Sequence, residues 1–275
     1  MKKFIFIPTL LFFLVIQAQA QFRANGTRFS TRTKDNYNMG IYYLSTDFPN
    51  KYKLAIKYFT AAIEEPTNFS NEGSSYTYID AYYNRGYCNY QMRLFDDAIV
   101  DFNTVIALRP SYAKAYNCKS LAEYYLGNYE AALSDINKAI QLKPEFAVSY
   151  YYRSVINYHN LDYKAVITDC DTAIIYNSKY IEAYKRRANM KVLLEDYNGA
   201  INDYTQAIKH DWENPQLYYN RGKASYSLKN YDDAAKDFYK AIRLDDNNQT
   251  YKDYLKLVGN LAKNSARLAF SDNKD

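Results

Sequence analysis

Histidine, proline, glycine and cysteine are all scarce in this chain of 275 residues, which has two, six, eight and three of them. His159 and His210 stand alone, and neither belongs to an HExxH arrangement, so no imidazole cluster for a metal or a proton relay is at hand. Gly86, Gly127, Gly199 and Gly222 are isolated and form no phosphate-cradling loop. So few glycines and prolines also speak against an all-β fold with many tight turns. Cys88, Cys118 and Cys170 are odd in number, and a bridge would need Cα atoms within about 7 Å. All three are therefore expected as small buried hydrophobes. Cys170 and His159 lie eleven residues apart, and a Cys–His nucleophile is not the expected reading. Neither a catalytic constellation nor a cofactor motif emerges.

Charge of one sign is lacking as well. The whole chain has 35 basic and 30 acidic residues; without Lys2 and Lys3 it has 33 basic residues. That balance excludes nucleic acid or an anionic membrane surface as the expected partner. No apolar run reaches the roughly 20 residues that span a bilayer. The longest runs from Phe4 to Ile16, is broken by Pro8, follows Lys2-Lys3 and precedes Ala18-Gln19-Ala20. This is the layout of a secretory signal cleaved after Ala20, giving an exported protein of the periplasm, cell envelope or medium with no stable membrane span after cleavage. Residues 21–35 and 271–275 are expected to be flexible or disordered.

What the chain has in excess is tyrosine, 33 residues of it. Tyr82, Tyr116, Tyr150, Tyr184 and Tyr218 recur at a step of 34. Gly86, Ser120, Ser154, Ala188 and Gly222 follow in phase, as do Phe95, Tyr129, Tyr163, Tyr197 and Tyr231. Asp101, Asp135, Asp169, Asp203 and Asp237 complete the pattern. A fixed period of this size signals one supersecondary unit copied and stacked. Within residues 113–146, Tyr116, Leu121, Ala122 and Tyr125 form one helical stripe that stops near Gly127. Tyr129, Ala132, Leu133, Ile136, Ala139 and Ile140 form a second that ends before Pro144. Two helices of about 14 residues then pair as an antiparallel hairpin.

These residues resemble the tetratricopeptide repeat. Counted from Ile79, Ala113, Ala147, Ile181 and Pro215, position 4 is always Tyr, position 8 small and position 17 aromatic. Position 20 is Ala except at Val166, and position 27 is Ala except at Val105. A degenerate first unit is marked by Gly40, Tyr52, Ala55, Phe59 and Ala62. The resemblance implies an all-α, right-handed α-solenoid, with six units over 36–248, a loop over 67–78 and a C-terminal capping helix over 249–270. A basic residue at position 7 (Arg85, Lys119, Arg153, Arg187, Arg221) accompanies Asp at position 23 in every full unit, so internal ion pairs are expected.

Residues found in every copy belong to the scaffold; function belongs where the copies differ. The resemblance implies a non-enzymatic scaffold for protein–protein interaction, whose partner lies as an extended or helical segment in a concave groove lined by the first helices. Carried onto this sequence, the groove takes Tyr83, Tyr87, Tyr90, Tyr124, Tyr125, Tyr151, Tyr152, Tyr158, Lys185, Arg186, Asn189, Tyr219, Asn220 and Lys223. It is aromatic through its middle and basic toward its C-terminal end. Tyrosine offers large contact area with few torsions to freeze. Lys185, Asn189 and Asn220 also match part of the clamp with which some family members hold a terminal carboxylate, but Thr250 and Tyr254 occupy its remaining positions. An alternative occupant of the same tyrosines is an envelope glycan stacked on their rings. No cofactor and no metal are implied, and no residue pattern sets an oligomeric state.

Overall fold

A computed structural model describes residues 30–64 and 74–271, which hold thirteen α-helices and no strand. The expected signal sequence at 1–20 lies outside them. The chain divides into two units, Met1–Leu142 and Lys143–Asp275. Unit 1 contains α1 (Ser30–Leu44), α2 (Lys51–Glu64), α3 (Ser74–Gln91), α4 (Phe95–Leu108), α5 (Ala113–Tyr125) and α6 (Tyr129–Leu142). Unit 2 contains α7 (Ala147–His159), α8 (Tyr163–Tyr176), α9 (Ile181–Leu193), α10 (Tyr197–His210), α11 (Pro215–Ser227), α12 (Tyr231–Leu244) and α13 (Gln249–Ser271). Odd and even helices pair as antiparallel hairpins, and within each unit the second helix of one hairpin packs on the first helix of the next. The architecture is an all-α solenoid.

The hairpin core follows the sequence period. Positions 20, 24 and 27 are fully shielded in each unit, as in Ala98, Phe102 and Val105, or Ala200, Tyr204 and Ala207. The bend between the paired helices is also periodic. Arg93, Gly127, Leu161, Glu195 and Lys229, all at position 15, adopt left-handed backbone with φ between 57° and 84°. Each N–H at position 16 reaches back to the carbonyl at position 11, for example Leu94 to Asn89 at 2.9 Å and Asp196 to Lys191 at 2.8 Å. This satisfies carbonyls that a helix end leaves open. Only one of the five residues is glycine, so the other four accept the steric cost of the turn.

Two boundaries differ from expectation. The segment 67–78 is helical from Ser74 onward, because α3 begins a full turn before the repeat proper. Tyr78 and Tyr82, four residues apart on one face, support the helix where the extension joins the repeat: their rings meet edge-on at 5.0 Å and their hydroxyls lie 3.1 Å apart. Residues 67–73 lie outside the described set. Likewise α1 starts at Ser30, so the expected flexible segment 21–35 is helical over its last six residues. At the other end α13 covers the last hairpin, with Tyr251 and Val258 buried against residues of α11 and α12. It ends at Ser271, and 272–275 lie outside the described residues.

Candidate functional site

The recurring cations at position 7 are consumed by the scaffold. Arg85 pairs with Asp101 at 2.7 Å, Lys119 with Asp135 at 3.0 Å, Arg153 with Asp169 at 2.7 Å and Arg221 with Asp237 at 2.7 Å. Arg187 pairs with Asp203 and also with Asp171 of the preceding hairpin at 2.6 Å. Arg85 and Arg221 likewise donate backward, to the hydroxyls of Thr60 and Thr205. One guanidinium therefore ties both helices of its hairpin to the hairpin before it, using a fork that Lys cannot reproduce. Position 11 adds a further arm: Asn89, Asn157 and Lys191 reach the same carboxylates of Asp101, Asp169 and Asp203. Burial holds the carboxyls of Asp101, Asp135 and Asp169 above their ordinary range, opposed by their basic partners.

With the ladder accounted for, the residues proposed for the groove separate into packed and presented groups. In unit 1, Tyr83 is wedged between Phe102 and Tyr112, with ring centroids at 6.0 and 5.3 Å, and its hydroxyl lies 3.6 Å from the Cys118 thiol. Tyr87 is half-buried near Tyr52. Tyr90 leans on Phe95, which stacks flat on Tyr125 at 5.1 Å. Tyr124 bridges Tyr125 and Tyr129. Of these, Tyr125 keeps 54% of its surface exposed. Unit 1 thus offers an aromatic ledge built on Tyr90, Phe95, Tyr124 and Tyr125.

In unit 2, Tyr151 contacts Tyr152 and Tyr180, and Tyr158 is 40% exposed above Tyr163. Arg186 reaches back from α9 so that its guanidinium lies 5.3 Å from the centre of Tyr151 and 6.0 Å from that of Tyr158. Its Nε is shielded and finds no acceptor among the described residues. A buried unmet donor costs about 1–3 kcal/mol. Lys185 is half-buried, and Lys223 is exposed with its ammonium 5.5 Å over Tyr219. None of these three cations forms an ion pair among the described residues, in contrast to every position-7 cation beside them.

The partial clamp lacks its basic members, and its two asparagines make local hydrogen bonds through their amide oxygens. Asn189 accepts a hydrogen bond from the Tyr204 hydroxyl at 2.6 Å, and Asn220 accepts one from Gln216 at 2.8 Å. Tyr254, which stands where a basic residue would be needed, packs on Tyr219, Tyr226 and Phe238. Tyr219 itself is enclosed by Phe238, Tyr251 and Tyr254. The thiols are free, with Cys88 and Cys170 buried and Cys118 half-buried. Among the described residues no three His, Cys, Asp or Glu side chains gather as metal ligands would. No described helix is long and apolar enough to cross a membrane.

Stacked helical hairpins with a buried position 20/24/27 core and an ion-pair ladder define a helical-repeat scaffold. Tetratricopeptide repeat profiles match residues 79–112, 113–146 and 215–248, and a further TPR profile matches 188–229. The chain belongs to the tetratricopeptide repeat proteins. Its fold is similar to a chain of the APC/C hetero-tetramer Cut9–Hcn1, with a TM-score of 0.67 at 17% identity, covering 84% of this chain and 44% of that one. It also resembles a tetratricopeptide repeat protein from Parabacteroides merdae, with a TM-score of 0.59 at 20% identity over 89% of both chains. A third likeness is to YrrB, a TPR protein with an unusual peptide-binding site, with a TM-score of 0.54 at 19% identity over 72% of this chain and 97% of that one. This chain thus spans less than half the length of the Cut9–Hcn1 chain. No curated protein sequence matches it.

Proposed function

We propose that the chain is an exported, non-enzymatic scaffold that holds a segment of another protein against the tyrosine-bearing faces of its first helices. One observation carries this reading. The copies share a saturated ion-pair ladder, yet Tyr125, Tyr158, Lys185, Arg186 and Lys223 stand outside that ladder and present rings or unpaired charge. Ring faces with few torsions and cations without a carboxylate are groups that gain from an incoming chain. Export rests on the Lys2-Lys3, Phe4–Ile16 and Ala18–Ala20 pattern.

Crosslinking in the cell envelope of the source organism tests the reading. Combined replacement of Tyr125, Tyr158 and Lys185 with Ala should reduce capture of a protein partner at least about tenfold, since exposed aromatic anchors carry most of such binding energy. The melting temperature should barely move, because none of the three is a core residue. Undiminished capture, or retention on insoluble envelope polysaccharide in place of a protein, would overturn it. The exported chain should begin at Gln21, and a full-length cytosolic product would remove the export part alone.

A further inference from the structure

In unit 2 the cations of the ladder and Arg186 beside them face different groups. Arg153, Arg187, Lys191 and Arg221 are neutralised by Asp169, Asp171, Asp203 and Asp237. Arg186, adjacent in sequence to Arg187, has no carboxylate; Glu182, one turn earlier on α9, does not pair with it. It occupies position 6, where the other full units place Asn84, Cys118, Tyr152 and Asn220. A lone guanidinium is not retained here by the repeat pattern.

We infer that unit 2 selects a partner segment bearing an acidic side chain, Asp or Glu, whose carboxylate is taken by Arg186 between the rings of Tyr151 and Tyr158. This rests on the proposed interaction function and specifies its ligand. Three observations carry it. The guanidinium is held in place by two aromatic faces at 5.3 and 6.0 Å, which orient it without neutralising it. Its planar fork matches a carboxylate in two parallel hydrogen bonds, and ring contacts displace part of its water, which strengthens charge-assisted bonding. Lys185 on the same helix adds unpaired positive charge of the same sign. A side-chain carboxylate is specified, rather than a chain terminus, because the terminal-carboxylate clamp lacks its basic members. Thr250 and Tyr254 stand where its basic residues are required, and Tyr254 is packed into aromatic neighbours. Tyr151 and Tyr158 suit apolar or aromatic residues flanking the acid.

The test is selection of random dodecapeptides by the intact protein, displayed once with a blocked C-terminus and once with a free one. Selected peptides should be enriched in Asp or Glu at one fixed position with the C-terminus blocked. Substituting that acid by its amide should weaken binding roughly 10- to 100-fold, the range for loss of a charge-assisted hydrogen bond. Arg186→Gln should erase the acid preference and bind the acid and amide peptides alike, while flanking apolar preferences persist. Peptides that bind without acid enrichment, enrichment unchanged in Arg186→Gln, or binding only with a free C-terminus would each overturn the acid assignment and leave the interaction function standing. Failure of both libraries to yield any binder would overturn the interaction function and this inference together. If Arg186→Gln misfolds, the acid-to-amide comparison on the wild-type protein decides the matter.

Discussion

Replacing Gly222 with Ala tests the side-chain economy of the hairpin crossing. A Cβ built there would sit 2.9 Å from Cε1 and 3.1 Å from Cδ1 of Phe238, and 3.2 Å from Cβ of Asp237. The Phe238 ring has no exposed surface and is enclosed by Ala234, Val258, Tyr219 and Tyr254, so it has no free direction in which to yield. Overpacking of this kind costs about 1–3 kcal/mol. Ala in place of Gly inside a helix returns about 1 kcal/mol. The net expectation is destabilisation of about 1 kcal/mol for Gly222→Ala, and of about 1–2 kcal/mol for Phe238→Leu through lost packing. In the double variant the added methyl enters the space the ring vacates, so its loss should fall below the sum by at least about 1 kcal/mol. Urea unfolding followed by circular dichroism gives all four stabilities from midpoints at a common slope. Additivity within about 0.5 kcal/mol would refute the steric reasoning. The same pairing recurs where Gly40 faces Phe59 and Gly86 faces Phe102, whereas Ser120 and Ser154 occur with the smaller Ile136 and Cys170 at position 24.

Further outcomes are expected. Arg187→Ala leaves Asp203, whose side chain is only 4% exposed, with Lys191 alone, and should cost about 3 kcal/mol in urea unfolding. Lys236→Ala, which breaks a fully solvated pair with Asp233, should leave the midpoint unchanged. Leu161→Gly relieves a left-handed residue with φ of 57° and should stabilise by about 0.5–1 kcal/mol, and Gly127→Ala should do the reverse; thermal melts distinguish the signs. Burial pushes the Cys88 thiol up to about 12 and those of Cys118 and Cys170 up to about 11, from 9.0. Burial also pushes the Tyr112 and Tyr204 phenols up to about 12, from 10.0. Raised folded values mean stability that is complete below about pH 9 and is lost as pH rises through about 11–12. Alkaline melts should show that decline, and the native thiols should resist alkylation at about pH 8. Rapid native labelling at that pH would contradict the burial.

Much of the scaffold is legible in the sequence because it is local and repeated. Position 4 tyrosines, position 8 small residues and the position 20/24/27 stripe report hairpins, since each requirement is met within one unit. The pairing of position 7 with Asp at position 23 is legible for the same reason: both recur in phase on two helices that must touch. The start of α3 at Ser74 escaped notice because the Ser-rich run before Ile79 lacks the repeat signature. The Tyr78–Tyr82 pair lies at the junction of that extension with the repeat proper.

The recurring 34-residue spacing alone determined the helical-repeat architecture and its core, because periodic burial leaves the same imprint on every copy. Tertiary structure decided which tyrosines are scaffold and which are presented, since exposure depends on side chains contributed by the neighbouring hairpin. Tyr83 and Tyr125 belong to the same predicted groove, yet Phe102 and Tyr112 absorb the first while the second stays largely open. The same holds for Arg186 and Arg187, which adjoin in sequence. One is neutralised by Asp171 and Asp203, and the other rests unpaired on Tyr151 and Tyr158. A helix turns successive side chains by about 100°, so only the packing of α9 against its neighbours assigns one arginine to the ladder and leaves the other on ring faces without a carboxylate.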